Sequence, residues 1–350
     1  MYRVFLLAAL AAATPWIGPT PRAGSTVPGP RLYIVNQAGA SITVVDQTNL
    51  VVDTTLDLTT MGFTANAKPH HVAVEPDGSY WYVTLIGDGR VLKLDRSNRV
   101  VGQVRMETPG LVELDPRRDT LYVGRSMTAP KPPQSVGVIK RSTFTLVDEQ
   151  EVQIARPHAL VTTRDGRWIH TASLAENTIA SIDAATGRVT LSHIPGATRT
   201  MVQFTVSPDG RWMICGGQVS STVLVYDLSK PLPLVPAGEI AIAGTPWDPV
   251  FSPDGRHAYF SLQTGNAVVE VDLAAGKVTR TFTGHFAQPY DMIMRRDGKL
   301  LFVDNENTGG GMSSAPGNGW LSVIDVATGR VVKEIPLGKG PTGMGAAGAR

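Results

Sequence analysis

The chain has 350 residues, 42% of them hydrophobic, with 32 basic side chains against 30 acidic ones. This balance, and the lack of any Lys/Arg-rich run, argue against nucleic acid as a partner. Cys215 is the single cysteine, which excludes an intramolecular disulfide and predicts a buried, inert thiol. Stability must therefore come from a large hydrophobic core, which a chain of this length can bury.

Residues 1–23 are predicted to be a secretory signal peptide. Arg3 precedes the apolar run 4–13, and a Pro/Gly-rich stretch follows; such a run is too short to span a membrane. Cleavage near Ala23 removes Arg3 and Arg22, which takes the basic residues from 32 to 30 and makes the mature chain, 24–350, neutral. No later run approaches the roughly 18 apolar residues of a membrane helix. We therefore expect a soluble periplasmic or secreted protein.

Turns that contain Asp-Gly recur along the rest of the chain. They lie at 76–78, 164–166, 208–210, 253–255 and 296–298. The turn glycines 166, 210, 255 and 298 are 44, 45 and 43 residues apart. A repeat of roughly 40–50 residues predicts a propeller or a solenoid.

Each repeat contains four strand patterns, which we label A to D in chain order. Alternating β-branched residues bounded by Asp, Asn and Gly indicate strands and hairpins. The units are 69–105, 108–154, 157–194, 199–242, 245–283 and 288–337. Residues 31–58 lack a strand A, and 341–347 supply one with nothing after it. Together these two pieces predict one more blade, so that a single domain, 24–350, is an all-β seven-bladed propeller closed by its own ends.

These units resemble the YVTN-repeat family, the YncE-like seven-bladed β-propellers. The resemblance rests on Leu121-Tyr122-Val123, on the segments 42–46 and 323–329, and on the frame in which a proline precedes Pro-Asp-Gly. It covers essentially all of 31–347 and implies the propeller fold. It implies little about function, because the shared residues are turn and core positions.

The loops are expected to differ between the two faces of the ring. We predict that all A–B and C–D turns are short and lie on one face, which we call the short-turn face. The B–C insertions 126–135 and 308–319 and the D–A linker 59–68 lie on the other, the loop-rich face. Long loops at one end of a rigid scaffold are the usual place for binding.

Strand A begins at the loop-rich face, and its first positions vary from blade to blade. Aligned on the turn glycine, the position that follows proline in six of the seven units is occupied by His70, Gly110, His158, Val202, Trp247, Tyr290 and Thr342. The next position is occupied by His71, Leu111, Ala159, Gln203, Asp248, Asp291 and Gly343. His285 lies in the D–A loop just before Tyr290. Because equal frame positions stand at equal heights, we expect a polar, solvent-facing funnel whose ligand-binding residues are His70, His71, His158, Gln203, Trp247, Asp248, His285, Tyr290 and Asp291.

Three interpretations of this funnel stay open. Its polar residues could be solvated and cap strand ends, or could line a pocket for a small molecule or peptide. Alternatively, His70, His71 and His158 could hold a transition metal or a haem-like cofactor, since imidazole suits Zn, Cu, Fe and Ni. Any such affinity is expected to vary between about pH 5 and 8. The other histidines, His170, His193 and His257, are expected to be structural.

The resemblance bears on the cofactor interpretation. Related propellers include the haem d1 domain of nitrite reductase and the copper domain of nitrous oxide reductase, which use histidines beside the channel. This chain has too few histidines at equivalent positions for the copper type, and it lacks a Cys-x-x-Cys-His motif for c-type haem.

Three classes of function follow. The favoured one is a non-catalytic, monomeric binding or scaffold module that holds a protein or small molecule at the channel. The second is an enzyme, either a redox protein or a lactonase-like hydrolase as in some seven-bladed relatives. No Gly-x-Ser-x-Gly, His-Glu-x-x-His or phosphate loop supports an enzyme. The third is a purely structural surface protein.

Overall fold

A computed structural model describes residues 29–129, 131–308 and 317–348. These residues form seven four-stranded antiparallel sheets, the blades, and one 3-10 turn, Gln37–Gly39. In the described ranges no helix is long and apolar enough to cross a membrane. The predicted signal peptide, 1–23, lies outside the described residues.

Within each blade the strands run from the innermost, A, to the outermost, D. Blade 1 consists of β28 (Pro341–Ala346), β1 (Arg31–Asn36), β2 (Ser41–Asp46) and β3 (Val51–Asp57). Blade 2 consists of β4 (Pro69–Val74), β5 (Tyr80–Leu85), β6 (Arg90–Asp95) and β7 (Val100–Arg105). Blade 3 consists of β8 (Pro109–Leu114), β9 (Thr120–Arg125), β10 (Ser135–Lys140) and β11 (Thr145–Glu151). Blade 4 consists of β12 (Pro157–Thr162), β13 (Trp168–Ser173), β14 (Thr178–Asp183) and β15 (Val189–His193). Blade 5 consists of β16 (Met201–Val206), β17 (Trp212–Gly217), β18 (Thr222–Asp227) and β19 (Pro236–Ala241). Blade 6 consists of β20 (Pro246–Phe251), β21 (His257–Leu262), β22 (Ala267–Asp272) and β23 (Lys277–Phe282). Blade 7 consists of β24 (Pro289–Met294), β25 (Leu300–Asn305), β26 (Asn318–Asp325) and β27 (Arg330–Lys339).

The ring is closed by the two ends of the chain. Strand β28 pairs with β1, so that Leu32 lies opposite Ala346 and Ile34 opposite Met344. The seven A strands contact one another in ring order, with β28 between β24 and β4. The predicted all-β fold, its seven blades and its closure are confirmed. Closure leaves no exposed inner edge for another chain to pair with.

The aspartates of the Asp-Gly turns hold the A–B hairpins together. The Asp77 carboxylate accepts a hydrogen bond from the Ser79 amide at 2.9 Å, and Gly78 has a φ of +66°. The same bond, to the amide two residues on, recurs at Asp165, Asp209, Asp254 and Asp297. These aspartates therefore set the hairpins, since an Asx side chain and a glycine at positive φ favour this turn.

The core is divided among the blade interfaces. Seven clusters of buried apolar residues each join two neighbouring blades. Blades 1 and 2 meet through Tyr33 and Trp81, whose rings stack at 4.4 Å. Cys215 lies between blades 4 and 5, where it is buried and burial raises the pKa of its thiol. The predicted inert thiol is consistent with this position.

One loop prediction is wrong. The C–D connection of blade 5 runs from 228 to 235, which is eight residues, whereas the other C–D connections have four or five. This loop folds back on blade 4, where the Leu234 amide donates to Ser192 Oγ at 2.7 Å. The short-turn face is therefore not uniformly short. The segment 228–235 contains two prolines, Pro231 and Pro233, which interrupt the strand pattern but do not indicate the length of the loop.

Candidate functional site: the central channel

The repeat register brings most of the predicted residues to the channel. His70, His158, Trp247 and Tyr290 all lie at the second residue of an A strand. The imidazole centroids of His70 and His158 are 6.1 Å apart, and the rings of Trp247 and Tyr290 are 5.0 Å apart. Gln203 is buried one position further along its strand. The predicted convergence of separate blades is thus present.

The two histidines are not solvent-facing, which corrects the prediction of an open funnel. His70 and His158 are each only 3% exposed. His158 Nδ1 lies 2.8 Å from the Arg125 carbonyl oxygen, and His70 Nε2 is buried with no hydrogen-bond partner among the described residues. Burial lowers the pKa of His70 to about 3 and that of His158 to about 4. Both are therefore neutral near pH 7, and their titration lies below the predicted window of pH 5 to 8.

An apolar plug explains this burial. Trp247, Val202 and Leu174 are buried together, and Met127 and Tyr290 pack against them. These five residues come from five consecutive blades, 3 to 7, on the loop-rich side. The Tyr290 hydroxyl lies 4.0 Å from the Met127 sulfur, which places Tyr290 across the channel from its own blade. The plug crosses the channel at the level of His70 and His158, because Trp247 and Tyr290 occupy the equivalent A-strand position.

The next frame position joins neighbouring blades. His71 Nδ1 accepts a hydrogen bond from the Val112 amide at 3.2 Å. Asp248 in blade 6 accepts a hydrogen bond from the Met292 amide in blade 7 at 2.8 Å. Asp291 in blade 7 accepts one from the Met344 amide in blade 1 at 2.6 Å. A buried amide without a partner destabilises a fold by about 1–3 kcal/mol. These three side chains therefore have a structural role, which agrees with the interpretation in which the polar residues cap strand ends.

His285 does not join the others. Its imidazole Nδ1 lies 2.9 Å from Glu334 Oε1 on β27, the outermost strand of blade 7, and the side chain is 55% exposed. The D–A loop enters strand A from the rim of the blade, and His285 lies at that rim. Proximity to Tyr290 in sequence was a poor guide, because the loop crosses the whole width of a blade.

The residues do not form a metal centre. No group of three or more His, Cys, Asp or Glu side chains within 29–129, 131–308 and 317–348 has an arrangement that could hold a metal ion. His71 uses its Nδ1 within the blade interface, and the other two imidazoles are enclosed behind the plug. The metal prediction for His70, His71 and His158 does not fit this geometry. The haem-like cofactor stays a prediction.

Two carboxyl groups near the plug were missed by sequence reasoning. Asp304 is completely buried, and burial together with the charge of Asp291 raises its pKa well above the usual range. Its Oδ1 accepts the Asp291 amide at 2.7 Å. Burial also raises the pKa of Glu306 to about 7. The sequence feature that could have indicated them is the segment Asp304-Asn305-Glu306, where two acidic residues lie at the end of strand B of blade 7.

The other end of the channel holds a cavity. It has a volume of about 370 Å³ and is lined by A strands of blades 1 to 5 and 7. His71 is its deepest residue, because it lies furthest from the A–B turn along β4. The walls are polar and apolar in about equal measure; Val112, Val161, Phe204 and Ile293 are among the apolar lining residues, and Glu113, Thr162, Arg164 and Thr205 are among the polar ones. The binding space of the channel thus opens on the short-turn face, opposite to the face that loop length favoured.

Charged side chains ring the mouth of this cavity. Glu75 accepts from the Tyr82 hydroxyl at 2.7 Å and pairs with Arg141 at 2.7 Å. Asp115 pairs with Arg118 at 3.3 Å. Because these carboxylates are already bonded, they offer a polar rim rather than a free charge. Affinity for a ligand would come from the apolar part of the lining and from hydrogen bonds to its polar part.

Comparisons with known proteins agree on the fold. No family model matches the chain. A protein of unknown function from Desulfotomaculum acetoxidans superposes with a TM-score of 0.73 at 14% identity, over 90% of this chain and 98% of that one. Kuenenia stuttgartiensis hydrazine synthase gives 0.66 at 18% identity, over 89% and 99%. The dihydro-heme d1 dehydrogenase NirN, in complex with DHE, gives 0.64 at 15% identity, over 94% and 77%.

Sequence similarity to curated proteins is partial. A 144-residue stretch, 38% of this chain, is 26% identical to 6-phosphogluconolactonase of Photorhabdus laumondii. The chain spans only 42% of the length of that relative. Fold and site together define a seven-bladed propeller with a plugged loop-rich end and an open cavity at the short-turn end. The structural similarities, all under 25% identical, carry the fold and no activity.

Proposed function

We propose that this chain is a non-catalytic binding module that holds a small organic molecule in the channel cavity at the short-turn face. The cavity carries this proposal. Its volume of about 370 Å³ lies within the roughly 300–1,000 Å³ of small-molecule sites, which are concave and mostly apolar with a few polar groups. The expected ligand is small and carries both apolar and polar groups, because Val112 and Phe204 alternate in the lining with Glu113 and Thr205.

Blocking the cavity tests the proposal. The neutral apolar dye N-phenyl-1-naphthylamine serves as the probe, since its fluorescence rises on leaving water. Thr162 lines the cavity and is half-buried, so Thr162→Trp fills the space at the loss of one hydrogen bond, to the Leu114 carbonyl at 3.1 Å. The matched control is Thr281→Trp, on the exposed outer strand β23.

We expect the dye to bind the wild type and the Thr281→Trp variant equally. Thr162→Trp should weaken binding by about tenfold or more, because the indole takes the space of one aromatic ring of the dye. Losing the burial of that ring reduces the binding free energy by more than about 1.4 kcal/mol. Both variants should melt cooperatively. Equal dye binding by all three proteins would refute the channel as the binding site.

A hydrolase is the second candidate, favoured only by the partial similarity to 6-phosphogluconolactonase. Its test is hydrolysis of 6-phosphogluconolactone, followed by proton release. We expect the rate with protein to equal the spontaneous rate. If the protein hydrolyses the lactone and Thr162→Trp abolishes that activity, the protein is an enzyme that uses the same cavity and not a non-catalytic binding module.

We further propose that the protein is exported to the periplasm or secreted, as its N-terminal segment suggests. Arg3 and the apolar run 4–13 support this proposal. An exported protein without a disulfide must resist unfolding by packing alone. The closed ring with seven interface clusters suits that demand.

A further inference from the structure

A second concave region lies on the short-turn face between blades 4 and 5. This groove has a volume of about 890 Å³. One wall is formed by the A–B and C–D turns of blade 4, and the other by the long C–D loop of blade 5. It is separate from the plug, and it shares Thr163 and Arg164 with the lining of the channel cavity.

The groove is lined by an excess of cations. Five basic side chains line it against two carboxylates, Asp165 and Asp209. Four of the five form no ion pair within the described ranges; they are Arg117, Arg167, Arg188 and Lys230. Both carboxylates accept local bonds, from the Arg167 amide at 3.0 Å and the Arg211 amide at 3.0 Å. The groove therefore has a net excess of positive charge, although the Asp165 carboxylate lies close enough to Arg117 and Arg167 for both to lower its pKa.

One buried polar atom at the floor of the groove, Nε2 of His170, has no hydrogen-bond partner among the described residues. His170 is 1% exposed, and its Nδ1 lies 2.9 Å from Ser181 Oγ. Its neighbour Ile169 packs against blade 3, so the alternation of β13 directs His170 towards blade 5 and the groove. Its Nε2 is buried without a hydrogen-bond partner among the described residues. A ligand atom at the floor would satisfy that nitrogen, which is otherwise costly to bury.

The side walls are shaped for a compact ligand. Trp168 lines the groove, and the Arg167 guanidinium lies 5.2 Å from its ring centroid, which orients the guanidinium. Leu232, on the blade 5 loop, lines the same space. The groove volume falls within the range of small-molecule sites. Arginine presents paired donors that match the oxygens of phosphate and carboxylate groups.

We propose that this groove binds a small organic anion that bears at least two phosphate or carboxylate groups, held by Arg117, Arg167, Arg188 and Lys230. The site is independent of the channel, and neither proposal requires the other. The linear sequence hides it because its cations lie between positions 117 and 230, on two A–B turns and two C–D loops. Only the ring brings them together.

The repeat supplies a matched pair of variants for the test. Arg188 and Arg330 both follow the glycine of an Asp-x-Ala-Thr-Gly-Arg turn. Their amides make the same bond to Thr186 and Thr328, at 3.3 and 3.4 Å. Both are exposed, but only Arg188 lines the groove. Arg188→Gln and Arg330→Gln therefore make the same change to the turn, but only Arg188→Gln removes a charge from the groove.

Isothermal titration at low salt is carried out with tripolyphosphate and, separately, with citrate. We expect at least one to bind, with an affinity that falls as salt rises. Arg188→Gln should weaken binding about tenfold, the lower end for a hydrogen bond between charged groups, and Arg330→Gln should leave it unchanged. Binding of tripolyphosphate alone assigns a phosphate ligand, and binding of citrate alone a polycarboxylate. Absence of binding by both, or equal weakening by the two variants, would overturn the proposal.

Discussion

Closure of the ring by the C-terminal strand has a measurable consequence for stability. The perturbation is a graded pair, Met344→Ala and truncation after Lys339, which removes β28. All six residues of β28 are buried. Met344 is 0% exposed, packs with Leu32 and Ile34, and donates its amide to Asp291. Both changes therefore act on the one blade that is built from the two ends of the chain.

The magnitude follows from burial. Replacing a fully buried methionine by alanine destabilises a fold by about 2–5 kcal/mol. For a chain of this length the unfolding entropy is about 0.7 kcal/mol/K, so that each kcal/mol lowers the melting temperature by about 1.5 °C. We expect a fall of roughly 3–8 °C for Met344→Ala. The truncation should lower it further, because it also exposes the edge of β1 and leaves the Asp291 carboxylate without the Met344 amide.

Scanning calorimetry measures both variants against Val332→Ala. Val332 is an apolar residue on the outermost strand of blade 7 and is 53% exposed, so its change should stay within about 0.5 kcal/mol. If the truncated chain melts within a degree of the full-length chain, β28 does not close the ring and the seven-blade architecture is wrong.

Three further predictions concern protonation and export. Burial raises the pKa of Glu306 to about 7, so the folded state holds a proton that the unfolded state releases above about pH 4.5; the stability from this group is lost as the pH rises from about 5 to 7. Glu306→Gln should remove that loss, seen as a smaller drop in urea midpoint between pH 5 and 7.5 than in the wild type. His70 and His158, with pKa values lowered to about 3 and 4, should keep neutral imidazole ¹⁵N shifts between pH 8 and 5.5; a titration near pH 6.5 would show that the plug is open. Cell fractionation and N-terminal sequencing should find an extracytoplasmic protein that begins near Gly24, and a full-length cytoplasmic product would contradict export.

The fold could be predicted from the sequence because its information is local and repeated. The spacing of the Asp-Gly turns gives the length of one blade. Each turn is stabilised by its own aspartate, as the turn at 76–78 is by Asp77. The strand A that 31–58 lack is supplied by 341–347, so closure follows from counting. The blade 5 loop at 228–235 could not be predicted in the same way, since prolines can end a strand without fixing loop length.

The site was predicted only in part. The repeat register correctly placed His70 near His158 and Trp247 near Tyr290, because it fixes height around the ring. It does not give the direction in which a long side chain extends. Tyr290 reaches across to Met127, and the resulting plug buries both imidazoles. The plug depends on packing between five blades, and no single repeat contains that information.

The channel is tested most directly by a crystal structure of the protein with N-phenyl-1-naphthylamine bound. We expect the dye inside the short-turn end of the channel, between the A strands of blades 2 to 5 and above His71. Dye density at the loop-rich face, or in the groove between blades 4 and 5 with the channel empty, would contradict it.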